Sequence, residues 1–259
     1  MERLRPFDSC LTIGQAADPC CPHCLPTADA VLAMMDRFGI AEALVHEHHA
    51  RTVYPIEHGN ARLMKLIAGH DRLHACWVLE PPKKPGSGPA EEMVREMIDA
   101  GVRAARLRMR RVGSLPWLWD GLCAAMEARR VPCFLDFGHV STTGDLRDAD
   151  VDFVRRIALD HPRLPLILSH VMGGLGIHPA VLPLLRCTPN VYLDTTGLLD
   201  YWLETAAEIS PRRALFATGA PFTDPGMLIS NIQYARGLSE QDKADLFGNN
   251  LRSLIGGVR

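Results

Sequence analysis

The feature that most constrains this chain is an alternation that never breaks. Short apolar runs of strand type and longer runs of helical period follow one another eight times from Phe7 onward. The strand-type runs are Phe7 to Ile13, Glu42 to His48, Leu73 to Leu79, Arg103 to Met109, Pro132 to Phe137, Leu164 to Val171, Val191 to Thr195 and Ala214 to Thr218. Between them, stretches such as Thr27 to Phe38, Asn60 to Ala68, Ala90 to Ala100 and Trp117 to Arg130 read as helices. Thr27 is a starting cap and Gly39 a stop for the first of them. Strict alternation calls for parallel strands joined by right-handed crossovers. Eight units in 259 residues predict an α/β fold of one domain over 1–259, a closed (β/α)8 TIM barrel rather than an open doubly wound sheet. The glycine-rich dinucleotide fingerprint is missing after the first strand, and Met172-Gly173-Gly174-Leu175-Gly176 after the sixth lacks its spacing.

Composition narrows the function. Lys and Arg number 28 against 30 Asp and Glu, a net charge of −2, with no basic block. Nucleic-acid and membrane-surface binding both need a concentrated basic face, so neither is expected. No apolar run approaches the ~20 residues that span a bilayer. The start, Met1-Glu2-Arg3-Leu4-Arg5-Pro6, has no signal-peptide run, and a cytoplasmic location is the expectation. Of the eight cysteines, Cys76, Cys123, Cys133 and Cys187 sit in apolar stretches as small hydrophobes. Cys20, Cys21, His23 and Cys24 crowd one loop after the first strand. The three cysteines read as free thiols at the barrel rim, with a metal or redox role for the group as the minority alternative.

In such barrels reactive groups come from the C-terminal ends of the strands. Those ends carry Cys10 and Thr12, His46 and His48, Trp77, Arg106 and Arg108, Asp136, His170, Asp194, and Thr218-Gly219. A purely structural barrel has no need of so many polar groups at one mouth.

Several segments, in this order and spacing, carry a resemblance. They are Phe7-Asp8, Met35-Asp36-Arg37-Phe38-Gly39-Ile40, Leu168-Ser169-His170, and the ending from Leu215-Phe216 through Pro221 to Gly248-Asn249-Asn250-Leu251. Together they resemble the amidohydrolase superfamily, in its amidohydrolase-2 (amidohydrolase-related) group of metal-dependent hydrolases and decarboxylases. The resemblance implies a site with His-x-His on the first strand, histidines ending the fifth and sixth, and an aspartate after the eighth. Here those positions hold Cys10 and Thr12, Asp136, His170 and Gly219, so only His170 is intact. No tightly bound metal is therefore expected. A zinc ion on Cys10, Asp136 and His170 is the fallback, three ligands being the number a catalytic zinc uses beside its water.

The resulting expectation is a divergent amidohydrolase-like enzyme acting on a small organic anion by hydrolysis or decarboxylation. Asp136 serves as general base if burial raises its pKa, and His170 as acid or oxyanion stabiliser. Arg106 and Arg108 share a strand face by the period of two. They form a carboxylate fork if that face points inward and are solvated charges if it points outward. Asp136 paired with Arg106 or Arg108 for structure alone is the rival reading of that residue. His48 is read as substrate-facing and His46 as packing. The alternative is a catalytically inactive barrel that binds a metabolite or a protein. Self-association is left open.

Overall fold

The structure is a computed structural model that describes residues 4–15, 24–52, 55–83, 87–137, 146–173, 176–198 and 200–259. Its barrel strands are β1 (Phe7–Ile13), β2 (Glu42–Glu47), β3 (Leu73–Ala75) with β4 (Trp77–Leu79), β5 (Ala105–Leu107), β6 (Cys133–Asp136), β7 (Leu166–Ser169), β10 (Val191–Asp194) and β11 (Ala214–Leu215). A two-stranded hairpin, β8 (Met172–Gly173) with β9 (Gly176–Ile177), follows β7. All barrel pairings are parallel, in the order β1-β2-β3 and β4-β5-β6-β7-β10-β11.

The two sheets form one ring. The third strand changes partner at Cys76, whose amide bonds Val45 O at 2.8 Å while the next amide, of Trp77, bonds Ala104 O at 3.2 Å. The seam closes where Ser9 N meets Phe216 O at 2.8 Å, Gly219 N meets Cys10 O at 2.9 Å and Thr12 N meets Ala220 O at 2.8 Å. This is the (β/α)8 barrel expected from the alternation.

Helices surround it: α1 (Ala28–Phe38), α3 (Ile56–Leu66), α4 (Ser87–Asp99), α6 (Pro116–Arg129), α7 (Asp148–Asp160), α8 (Val181–Cys187), α9 (Asp200–Ile209) and α10 (Pro225–Tyr234). Thr27 caps α1 by accepting from Ala30 N, and Gly39 ends it at φ 68°. The final helix is in three parts, α11 (Glu240–Ala244), a π-helical turn (Asp245–Asn249) and α12 (Asn250–Gly256).

Two short helices go beyond the sequence reading: α2 (His48–Thr52) and α5 (Met109–Val112). They take His48 off the end of β2 and Arg108 off the end of β5. The cause at β2 is Glu47, whose Oε2 accepts from Ala50 N at 2.9 Å and so starts a helix one residue later. The helix expected over Ala90 to Ala100 starts earlier, because α4 begins at Ser87.

Inside the barrel the lower layer is apolar. Phe7, Leu44, Cys76, Ala104, Phe134, Ile167 and Leu215 pack there with Leu251 and partly with Tyr192. Two residues further along each strand the side chain returns to the same face. That step gives His46, Val78, Arg106, Asp136, Ser169 and Asp194, all buried. Apolar below and polar above, the interior delivers its charged groups to the C-terminal end of the strands.

Candidate active site

Asp136 is the hub. Its Oδ2 lies 2.5 Å from Arg51 Nε and 3.4 Å from Arg106 Nη1. Its Oδ1 lies 3.6 Å from His170 Nδ1, inside ion-pair range and too long for a hydrogen bond. All four residues are buried or nearly so. Arg106 also directs Nη2 at Cys10 Sγ, 3.4 Å away, and rests on the Phe134 ring at 5.1 Å from its centroid. Cys10, Asp136 and His170 thus meet at one mouth, and a guanidinium stands between the first two.

Local backbone explains the placement of each group. The β1–β2 register slips between Asp8 and Leu11, a bulge that places Cys10. Asp8 Oδ1 holds the bulge by accepting from Cys10 N and Thr218 N, each at 3.0 Å, so it ties β1 to the residues beyond β11. His170 follows β7 at φ 56°, a left-handed conformation uncommon for a side-chain-bearing residue and found where surrounding structure imposes it. Gly219 also sits left-handed, at φ 68°, and a Cβ there would lie 2.7 Å from Thr196 Cγ2.

The electrostatics revise the sequence reading. Burial penalises the Asp136 carboxylate, yet Arg51, His170 and Arg106 together hold its pKa well below the ordinary range. Asp136 is therefore an ion-paired carboxylate and a poor general base, contrary to the raised pKa that role required. Burial, Arg51 and Arg106 push His170 down to about 3 against the opposing pull of Asp136, so its imidazole is neutral. Burial also outweighs Arg106 at Cys10, whose thiol is pushed up to about 12.

The arginines are corrected as well. Both are buried, so the solvated alternative fails. They do not form a fork, because α5 turns the chain after β5. Arg106 goes to Asp136 and Cys10, whereas Arg108 places Nε 3.0 Å from Glu80 Oε1 and donates through Nη1 to Ala50 O at 3.0 Å. His46, read as packing, belongs to the cluster. Its Nε2 lies 3.0 Å from Thr12 Oγ1, and Arg106, Arg51 and His170 all act on its charge. His48 is buried in α2, its ring 6.1 Å from that of Phe222. Phe222 also lines a groove of about 1080 Å³ with Leu25, Met34, Phe38 and Pro221.

Sequence reasoning missed Arg51, Glu80 and the Asp194–Ser169 bond, in which Ser169 Oγ donates to Asp194 Oδ2. Cys20, Cys21 and His23 lie outside the described residues; Cys24 is half-buried beside the groove.

The donors present do not fit the metal site that the resemblance implies. Thr12 is bonded to His46, Cys10 holds its proton, Gly219 offers no ligand, and Asp136 is already shared by two guanidinium groups. Among the described residues no three His, Cys, Asp or Glu side chains converge on one point suited to a metal ion. Nor does any described helix have the length and apolarity to cross a membrane.

Comparison with known proteins agrees with the architecture. A family model described as amidohydrolase matches residues 27–256. No curated protein matches the sequence. Among solved structures, 5-carboxyvanillate decarboxylase from Sphingomonas paucimobilis superimposes with a TM-score of 0.75 at 14% identity, covering 99% of this chain and 100% of its own. The 2,6-dihydroxybenzoate decarboxylase from Rhizobium gives 0.69 at 19%, covering 97% and 98%. A dihydroxybenzoic acid decarboxylase from Polaromonas sp. JS666, with bound manganese and 2-nitroresorcinol, gives 0.69 at 17%, covering 97% and 96%.

Proposed function

The chain belongs to the amidohydrolase family, and on that premise we propose that it is an enzyme acting on a small organic anion, with hydrolysis as the reaction its site fits best. The observation that carries the reading is Arg51. Its Nε is spent on Asp136, but its Nη2 is buried with no hydrogen-bond partner among the described residues. A buried donor without a partner costs about 1–3 kcal/mol, more when charged, and a carboxylate or developing oxyanion would satisfy it.

Asp136 is held as a weak base and His170, pushed down to about 3, is another, so in this reading the two guanidinium groups carry the catalysis. The neutral imidazole of His170 orients the attacking water, whose proton passes to the leaving group as the bond breaks. Arg51 and Arg106 then face negative charge as it develops on the attacked carbonyl oxygen. Decarboxylation is the second reading, favoured by the chemistry of the structural neighbours, all three named above being decarboxylases of aromatic acids. It needs a proton for the carbon left behind, which this reading would draw from the thiol of Cys10.

The test is a panel of carboxylate-bearing esters, lactones and amides, with hydroxybenzoates for the second reading, assayed in chelator. The expected result is turnover of one class, lowered by His170→Gln and raised in KM by Arg51→Met. Tight binding of one metabolite with no turnover would replace the enzyme by a binding barrel.

A further inference from the structure

We infer that the guanidinium of Arg106, seconded by that of Arg51, stands in the place of the divalent ion at this barrel mouth and keeps such ions out. The geometry is direct. Of the groups aligned with the implied ligands, Cys10 and Asp136 are bridged by one guanidinium, with Nη2 at 3.4 Å from the sulfur and Nη1 at 3.4 Å from Oδ2. The same Oδ2 receives Arg51 Nε at 2.5 Å. One oxygen of Asp136 therefore faces two fixed cations, with Asp194 as the further buried carboxylate acting on Arg106, so fixed positive charge stands where an ion would sit. Arg106 is fully buried over Phe134, so it cannot swing aside into water to make room. A divalent ion entering between Cys10, Asp136 and His170 would lie directly against both guanidinium groups, and low-dielectric surroundings screen that repulsion weakly.

The space of the missing eighth-strand carboxylate is closed too. A side chain at Gly219 would run into Thr196 Cγ2. The replacement is thus more than a loss of ligands: fixed positive charge occupies the site, and a neighbouring side chain fills what the carboxylate vacates. Guanidinium groups stay protonated at any working pH, so the charge is permanent where a bound ion can dissociate.

This inference concerns what charges the mouth and stands apart from which reaction is run there. Its test uses Mn(II) alone, an ion that prefers oxygen and nitrogen ligands and so leaves loop thiols aside. The chelator-treated full chain is titrated and free Mn(II) is read by electron paramagnetic resonance. Wild type should bind no ion at the mouth. Arg51→Met with Arg106→Met should bind one equivalent, at least about tenfold more tightly than wild type once two opposing charges are gone. Adding Asp136→Asn should abolish that binding. If the double variant does not fold, Arg106→Met alone serves with the same readout. Stoichiometric Mn(II) on wild type that is lost in His170→Ala would overturn the inference. A folded variant that binds Mn(II) no better than wild type would also overturn it, by showing that missing ligands alone account for the change. Carboxylate affinity, measured separately, decides the proposed function whichever way the Mn(II) titration falls.

Discussion

Arg51 Nε lies 2.5 Å from Asp136 Oδ2, although the two residues come from α2 and the end of β6 and are 85 positions apart in the chain. Both side chains are 4% exposed. Arg106 shares the same oxygen, so the barrel mouth is organised around one carboxylate held by two cations.

Removing that carboxylate should be expensive. Asp136→Asn keeps the shape and leaves two buried guanidinium groups without their counter-charge. Breaking a buried pair in this way costs about 3–5 kcal/mol. Urea unfolding at pH 7 reads the loss directly. Replacing the whole set with Arg51→Met, Arg106→Met and Asp136→Leu should recover much of it, because an apolar set of similar volume removes the orphaned charges. A loss under about 1 kcal/mol for Asp136→Asn would mean that the ion pairs are solvated and weak.

Gly219 should tolerate no side chain. Alanine there must adopt φ 68° and place Cβ 2.7 Å from Thr196 Cγ2, where at least one of them has to move. The expected cost is about 1–3 kcal/mol from strain and crowding. Thr196→Ser removes the methyl and should return part of it in the double variant. Equal losses with and without Thr196→Ser would locate the cost in the backbone alone.

Stability should also depend on Asp8 in an unusual direction. Burial raises its pKa to about 7, against hydrogen bonds from the Thr218 hydroxyl and from the amides of Cys10 and Thr218. The folded chain thus holds a proton that the unfolded chain releases near its ordinary pKa of ~3.9. Between those values the native state binds more protons, so this contribution to stability falls as pH rises from about 4 to about 7 and is level above. Asp136 acts oppositely. Its depressed pKa contributes stability that is full above the ordinary carboxylate value and is lost as pH falls below it, toward the depressed folded-state value. Denaturant midpoints of wild type and Asp8→Asn at pH 5, 6 and 8 separate the two, with the variant gaining on wild type as pH rises. A pH-independent difference would show that Asp8 is ionised throughout.

Much of the barrel was legible because burial on both faces writes each strand as a continuous apolar run. The period of two also put Arg106 and Arg108 on one face of their strand, and burial shows that Arg106 points inward. What the sequence hid were events decided across the chain. Arg51 lies in a helix of five residues, too short to show a period, and nothing near it announces that Asp136 is its partner. Glu47 starts that helix with a side-chain bond, which displaced His48 from the strand to which alternation assigned it. The sign of the Asp136 shift was equally hidden, since burial alone points upward and two distant arginines reverse it. A cap signal at Glu47 could have been read from the His48-His49-Ala50 run; the partner of Asp136 could not.

The most direct test of the account is calorimetric titration of a small aromatic carboxylate, such as benzoate, into the chain in the presence of chelator. The account predicts one site, with binding retained without metal and weakened at least about tenfold by Arg51→Met, the cost of losing a charge-assisted hydrogen bond. Binding that appears only when Mn(II) is supplied, or that is unchanged in Arg51→Met, would contradict it.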